Sequence, residues 1–178
     1  KKKKYNHLLR IAINKKIISI SLRKRVKPKL NFNLKLVKLK REKPQFKNLK
    51  YKKILSYLSK IDNSQSDIAL VSNKKILETG TSNLLFVKDQ KFFTPKKGYY
   101  EGNTYKFFKT KIKKIIKKDI LIKMINDYDE ILLLGSGKGV TSVKTIKEIK
   151  WKRKNLKKFK FLSKYYVAAI NKCNSYRF

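Results

Sequence analysis

The chain has little of what staples or ligates. A single cysteine, Cys173, excludes a disulfide framework, and a single histidine, His7, leaves no His/Cys cluster with zinc-site spacing. No apolar run approaches the length that spans a bilayer. Lys1–Lys4 are not followed by a signal-type apolar core and cleavage site, so the expectation is a protein of the reducing cytoplasm with no membrane partner. The sequence does not begin with Met, as expected of a fragment or a processed chain. Acidic residues are scarce: 11 Asp and Glu stand against 49 Lys and Arg, a formal net charge of +38. Alanine, glycine and proline are also sparse, whereas Lys, Ile and Asn abound. Those are the residues that the codons of an AT-rich genome favour.

The charge makes a nucleic-acid binder the first rival reading, because lysines neutralise phosphates and release counterions. Against it, the lysines are spread along the whole chain and arginine occurs only six times. Specific recognition of nucleic acid is therefore not expected. With 41% hydrophobic and 12% aromatic residues, 178 residues suffice for one domain with a real core.

Periodicity divides the chain into short elements. Residues 8–13, 17–22 and 31–39 read as strands, with an irregular crossing around Pro28 and a break at Pro44. Leu49, Ile54, Leu55, Leu58 and Ile61 recur at helical spacing, which predicts an amphipathic helix over 49–61. A strand at 67–72 leads into 76–87, Ile-Leu-Glu-Thr-Gly-Thr-Ser-Asn-Leu-Leu-Phe-Val, two buried strand pieces joined by a turn or bulge at Gly80. Segments 84–88 and 91–94 form a hairpin across Asp89-Gln90. A helical run is predicted from about 104 to Lys117, a buried strand over 131–134, a further strand over 141–146, and a closing helix over 156–169.

Three places carry candidate chemistry. Glu78 is a carboxylate set against an apolar run, read either as a surface partner of a lysine or as a functional group. Gly102-Asn103-Thr104 offers free N–H groups and a hydroxyl at a helix start, a ready anion site. Gly135-Ser136-Gly137-Lys138-Gly139-Val140-Thr141 has neither the Walker ending nor the helix that follows a dinucleotide fingerprint. It is an anion loop of other geometry or a tight turn, and both readings stay open.

The order of these features resembles the class IV aminotransferases, the fold type IV pyridoxal-phosphate enzymes. A Lys precedes a helix, and a strand follows. Then come Glu-Thr-Gly-Thr-Ser-Asn-Leu-Leu-Phe-Val, Thr-Pro, Gly-Asn-Thr and Asp-Glu-Ile-Leu-Leu-Leu-Gly-Ser-Gly. The resemblance covers about residues 8–161. It implies an α+β fold, the large cofactor-binding domain of the D-amino-acid aminotransferase type, with a β-barrel-like sheet flanked by helices. Residues 1–178 are then one domain, 1–45 supplying its opening strands and crossing segment, and the family's small N-terminal domain has no counterpart.

The resemblance also implies roles. Lys47 in Phe46-Lys47-Asn48-Leu49-Lys50-Tyr51 is the lysine that bonds pyridoxal phosphate, with Tyr51 beside it. A buried position beside a cationic cofactor is expected for Lys47, because it favours the neutral amine. Glu78 faces the pyridine nitrogen. Asn103 with Thr104, and Ser136 with Gly137, hold the phosphate. Asn103 stands where the family has Ile, and Tyr105 where it usually has Arg. Lys138 is a candidate for charge near a substrate carboxylate. The glycine loop, followed by Trp151-Lys152-Arg153-Lys154, looks most like aminodeoxychorismate lyase, which makes 4-aminobenzoate and pyruvate for folate synthesis. Branched-chain or D-amino-acid transamination is the alternative, and a homodimer acting on a small molecule is expected in either case.

Overall fold

The computed structural model describes residues 7–172; Lys1–Lys4 and Cys173, invoked above, lie outside them. Strands β1 (His7–Ile13) and β2 (Ile18–Lys24) pair antiparallel as a two-stranded sheet of their own. After the crossing come β3 (Phe32–Lys38), helix α1 (Lys52–Leu58), β4 (Ser66–Ser72), β5 (Lys75–Thr79), β6 (Asn83–Lys88) and β7 (Lys91–Pro95). Helix α2 (Asn103–Lys111) precedes β8 (Ile115–Lys118) and the short β9 (Ile120–Leu121). A 3-10 turn then leads to β10 (Glu130–Gly135), β11 (Gly139–Ile146), the short β12 (Trp151–Lys152) and α3 (Lys157–Asn171).

Ten of these strands form one mixed sheet in the order β8-β7-β6-β10-β11-β3-β4-β5-β9, with β12 on β11. Helices flank it, in agreement with the α+β expectation.

Strand alternation explains the layers. Along β10, Ile131 and Leu133 point to one side with Leu84, Phe86, Val143 and Trp151, and form the main core. Leu132 and Leu134 point to the other, where Tyr105 and Phe108 of α2 and Leu162 of α3 cover them. Along β4, Ala69 and Val71 join the main core, whereas Ile68 and Leu70 lie under Ile54 and Leu58 of α1.

The hairpin β1–β2 departs from this economy. Cross-strand pairs Leu9–Leu22, Ile11–Ile20 and Ile13–Ile18 put six aliphatic side chains on one face, and all six are exposed.

Two predicted helices are shorter than their periodicity. The run 49–61 is helical only over Lys52–Leu58, because the preceding residues are held by Asn48, whose amide donates to the carbonyls of Glu42 (3.0 Å) and Lys43 (3.3 Å). The run continued to Lys117 ends at Lys111. Ile115 and Ile116 are β-branched and pair in parallel with Phe92 and Phe93 of β7 instead.

Helix α3 lacks a side-chain cap of its own. Glu130, fully buried at the start of β10, supplies one: its oxygens accept the N–H groups of Lys158 (2.7 Å) and Phe159 (2.9 Å). Glu130→Ala is expected to destabilise the fold by about 2–3 kcal/mol, since two half-buried donors lose a charged acceptor. Urea unfolding of the variant against the parent protein, followed by circular dichroism, checks this.

Candidate functional site

The strand pairing brings distant residues to one end of the sheet. The start of β4, the end of β5, the start of β6, the end of β10 and the start of β11 all lie there, because Ala69 pairs Thr79, Leu134 pairs Asn83 and Gly135 pairs Gly139. Glu78 reaches this end through a bulge. Val71 pairs Ile76 but Leu70 pairs Glu78, so Leu77 is the extra residue. Glu78 thereby shares the outer face with Leu70.

Glu78 is buried, its side chain 4% exposed. Its Oε1 accepts from Arg41 Nε at 2.7 Å, and among the described residues its Oε2 has only a long contact from the Tyr100 N–H at 3.4 Å. Burial pushes the carboxyl above its ordinary value, and the charge and hydrogen bond of Arg41 act in the opposite direction, as does the Tyr100 N–H. The surface-lysine reading of Glu78 is thus replaced by a buried pair with an arginine that periodicity did not single out.

Asn83 fixes the next element. Its side chain donates to the Tyr100 carbonyl (2.5 Å) and accepts from the Gly102 N–H (3.0 Å), which sets where α2 begins. Helix α2 carries no side-chain cap, so the N–H groups of Asn103 and Thr104 open toward this end of the sheet. Thr104 is buried and its hydroxyl has no hydrogen bond among the described residues, while Asn103 is exposed. Tyr105 turns away into the core, edge-on to Tyr99 with ring centroids 5.9 Å apart.

The glycine loop packs beside the turn after Glu78. A Cβ on Gly135 would fall 2.6 Å from Ser82 Oγ, so a side chain there would force Ser82 to shift. Gly139 sits at φ +66°, and a Cβ there would meet the Tyr166 ring at 2.9 Å. Arg25 holds the loop from outside, donating to the carbonyls of Ser136 (2.6 Å) and Gly137 (3.3 Å). Those carbonyls are engaged while the Ser136 and Gly137 N–H groups donate to nothing among the described residues.

Asp67 ties these parts together. It is fully buried, and its Oδ2 lies 3.1 Å from the Thr79 hydroxyl, 2.5 Å from that of Thr81 and 3.0 Å from Lys138 Nζ. Lys138 also lies over the Phe32 ring, 4.8 Å from its centroid. The lysine expected near a substrate carboxylate instead puts its amine on Asp67.

Lys47 is exposed on the segment between β3 and α1, in contrast to the buried position expected of it. That segment follows the surface from Arg41 to α1, and no described element covers it at Lys47. Tyr51 receives a 2.7 Å hydrogen bond from Arg10 of β1, and Leu8 of β1 lies within 3.2 Å of where a Cβ on Gly137 would stand. The inner face of the hairpin therefore touches both the Tyr51 end and the glycine-loop end of the site. A groove of about 540 Å³ lies between the crossing 25–30 and α3, with Gly137 and Lys138 of the loop in its lining. It contains none of Lys47, Tyr51, Glu78, Asn103, Thr104 or Ser136.

Arg41 and Asp67 were missed in the sequence. Their only signal was rarity, one of six arginines and an acid at the head of an apolar strand.

Raised by burial, Glu78 takes up its proton at higher pH when folded than when unfolded. Its contribution to stability is therefore greatest at low pH and falls as pH rises through the raised value. Urea unfolding at pH 5 and pH 8 should show the parent protein losing stability relative to Glu78→Gln at the higher pH. A relative gain would contradict the assignment.

The sequence profile of the family described as amino-transferase class IV matches residues 6–146. No curated protein matches the chain. Among solved structures, the branched-chain aminotransferase of Thermoproteus uzoniensis with norvaline superposes at a TM-score of 0.73 with 15% identity, over 86% of this chain and 56% of that one. A candidate 4-amino-4-deoxychorismate lyase of Legionella pneumophila gives 0.69 with 17% identity, over 86% and 60%. The branched-chain aminotransferase of Thermobaculum terrenum in its PLP form gives 0.71 with 16% identity, over 86% and 56%. The chain thus spans less than two thirds of the length of these structures.

Proposed function

Because the chain belongs to the class IV aminotransferase family, whose enzymes depend on pyridoxal phosphate, we propose that the site at this end of the sheet holds that cofactor in an aminodeoxychorismate lyase. The observation that carries the reading is the meeting of a buried carboxylate, one oxygen still weakly engaged, with two groups of unpaired N–H donors.

The donor chemistry fits the group. The N–H groups of Asn103, Thr104, Ser136 and Gly137 and the hydroxyl of Thr104 suit a dianionic phosphate, since backbone dipoles neutralise charge without a counter-ion. Glu78 suits a protonated ring nitrogen, which a carboxylate keeps protonated. Lys47 carries an amine with no partner among the described residues and would make the covalent link, with Tyr51 beside it. When bound, the cofactor supplies an electron sink for the substrate carbon. The chain's own residues do the rest: the two turns anchor, Glu78 holds a proton on the ring nitrogen, and the freed Lys47 amine moves protons at the substrate.

The lyase reading, 4-aminobenzoate and pyruvate from 4-amino-4-deoxychorismate, rests on the Gly-Ser-Gly-Lys-Gly-Val loop followed by Trp151, a pattern that looks like that enzyme. Similarity to branched-chain aminotransferases favours the second reading, transfer of an amino group to a 2-oxo acid. The exposed aliphatic face of β1–β2 suits cover by the small domain of a longer enzyme, working as a homodimer in the cytoplasm.

Two measurements test this. Pyridoxal phosphate should give the protein a yellow absorbance band that Lys47→Ala abolishes. A borohydride-reduced adduct on another lysine would refute the role of Lys47. The full-length gene product should release pyruvate and 4-aminobenzoate from aminodeoxychorismate with no 2-oxo acid added. Exchange of leucine with 2-oxoglutarate, without pyruvate release, would transfer the assignment to the aminotransferases.

A further inference from the structure

We infer that Arg41 is a positioning residue of this site: it ties down one oxygen of Glu78 and leaves the other as the acceptor offered to a protonated ring nitrogen. The inference rests on the reading of Glu78 as the partner of that nitrogen.

The geometry is one-sided. Arg41 donates from Nε to Oε1 at 2.7 Å, and its Nη2 lies 3.5 Å from the Gly80 carbonyl, not on Oε2. A bidentate arginine would occupy both carboxylate oxygens and compete with a ligand. Here Oε2 keeps lone pairs free, since the Tyr100 N–H at 3.4 Å is its sole contact among the described residues. Arg41 itself is mostly buried, its side chain 15% exposed.

The surroundings leave this charge to Arg41. β4 presents Leu70 opposite Glu78, and the loop before α2 presents a backbone N–H. Glu101 in that loop is turned to Lys109 and Lys117. The other buried pair, Asp67 with Lys138, sits one turn away across Gly80 and neutralises itself. Lys47 stands on the same segment as Arg41 but is exposed. Without Arg41, burial is opposed by the Tyr100 N–H alone, and the Glu78 carboxyl is pushed further above its ordinary value. A protonated carboxyl cannot sustain a protonated ring nitrogen.

The test starts with cofactor-free protein. The chain has five glutamates, so carboxyl-labelled glutamate gives a countable set of ¹³C signals, and Glu78→Gln identifies the one that matters. Arg41→Gln should raise the Glu78 midpoint by about one pH unit or more, and Arg41→Lys, which keeps the charge but not the geometry, by less. Should Arg41→Gln fail to fold by circular dichroism, the upward shift in Arg41→Lys carries the test. A midpoint unmoved in the folded variants overturns the inference.

Pyridoxal phosphate titrated against the same proteins gives the second readout. Affinity in Arg41→Gln should be about tenfold weaker one pH unit below its raised Glu78 midpoint and recover as pH is raised through that midpoint, the parent showing the same change at lower pH. A loss equal at every pH and not relieved in Arg41→Lys also overturns it. Unaltered cofactor affinity in Glu78→Gln would instead refute the reading of Glu78, while the midpoint shifts still report on Arg41.

Discussion

The site depends on one buried carboxylate. Asp67 has no solvent exposure, and its hydrogen bonds reach the backbone of Ile68, the hydroxyls of Thr79 and Thr81 and the amine of Lys138. It thereby joins the head of β4, the turn between β5 and β6, and the glycine loop. A buried carboxylate tolerates few missing partners, so the three segments are held at one spacing. Glu78 lies one residue before that turn and Ser136 two residues before Lys138. Both inherit their positions from a residue that touches neither.

Scarce as acids are, several of the carboxylates have a definite task. Asp67 organises the site, Glu78 pairs with Arg41, and Glu130 starts α3. At the surface, Glu101 serves Lys109 and Lys117, Asp119 serves Lys75 and Asp129 serves Lys154. Exposed pairs of that kind contribute about 0–1 kcal/mol each and weaken with salt. Lysines also cover rings: Lys118 lies 5.0 Å from the centroid of Phe93 and Lys158 lies 5.5 Å from that of Phe92. The excess of positive charge is therefore partly built into the packing. Binding of nucleic acid by such scattered charge would be weak and salt-sensitive.

Particular elements show what was legible. The strand pieces around Gly80, the apolar strand before Gly135 and the closing helix are present where their periodicity puts them, since buried strands and long amphipathic helices need the residues they contain. The run after Thr104 misled. Ile112, Ile115 and Ile116 fit a helical face, but the free edge of β7 offered the β-branched Ile115 and Ile116 a ladder. Sequence spacing does not reveal which strand edge is open. Lys138, expected to offer its charge to a substrate, instead pairs with Asp67, 71 residues away in the sequence.

By itself the sequence determined the α+β alternation and the two turns rich in free N–H groups, and it carried the order of motifs on which the resemblance to the family rests. The first two are local properties, written in apolar period, glycine and helix starts. The tertiary structure alone decided the rest: the bulge at Leu77 that turns Glu78 outward, the arginine that meets it, the burial of Tyr105, and the exposure of Lys47 and of one hairpin face. Those depend on register and on the contact of segments tens of residues apart. No local pattern encodes them, because the energy that selects them exists only once the sheet has closed around its core.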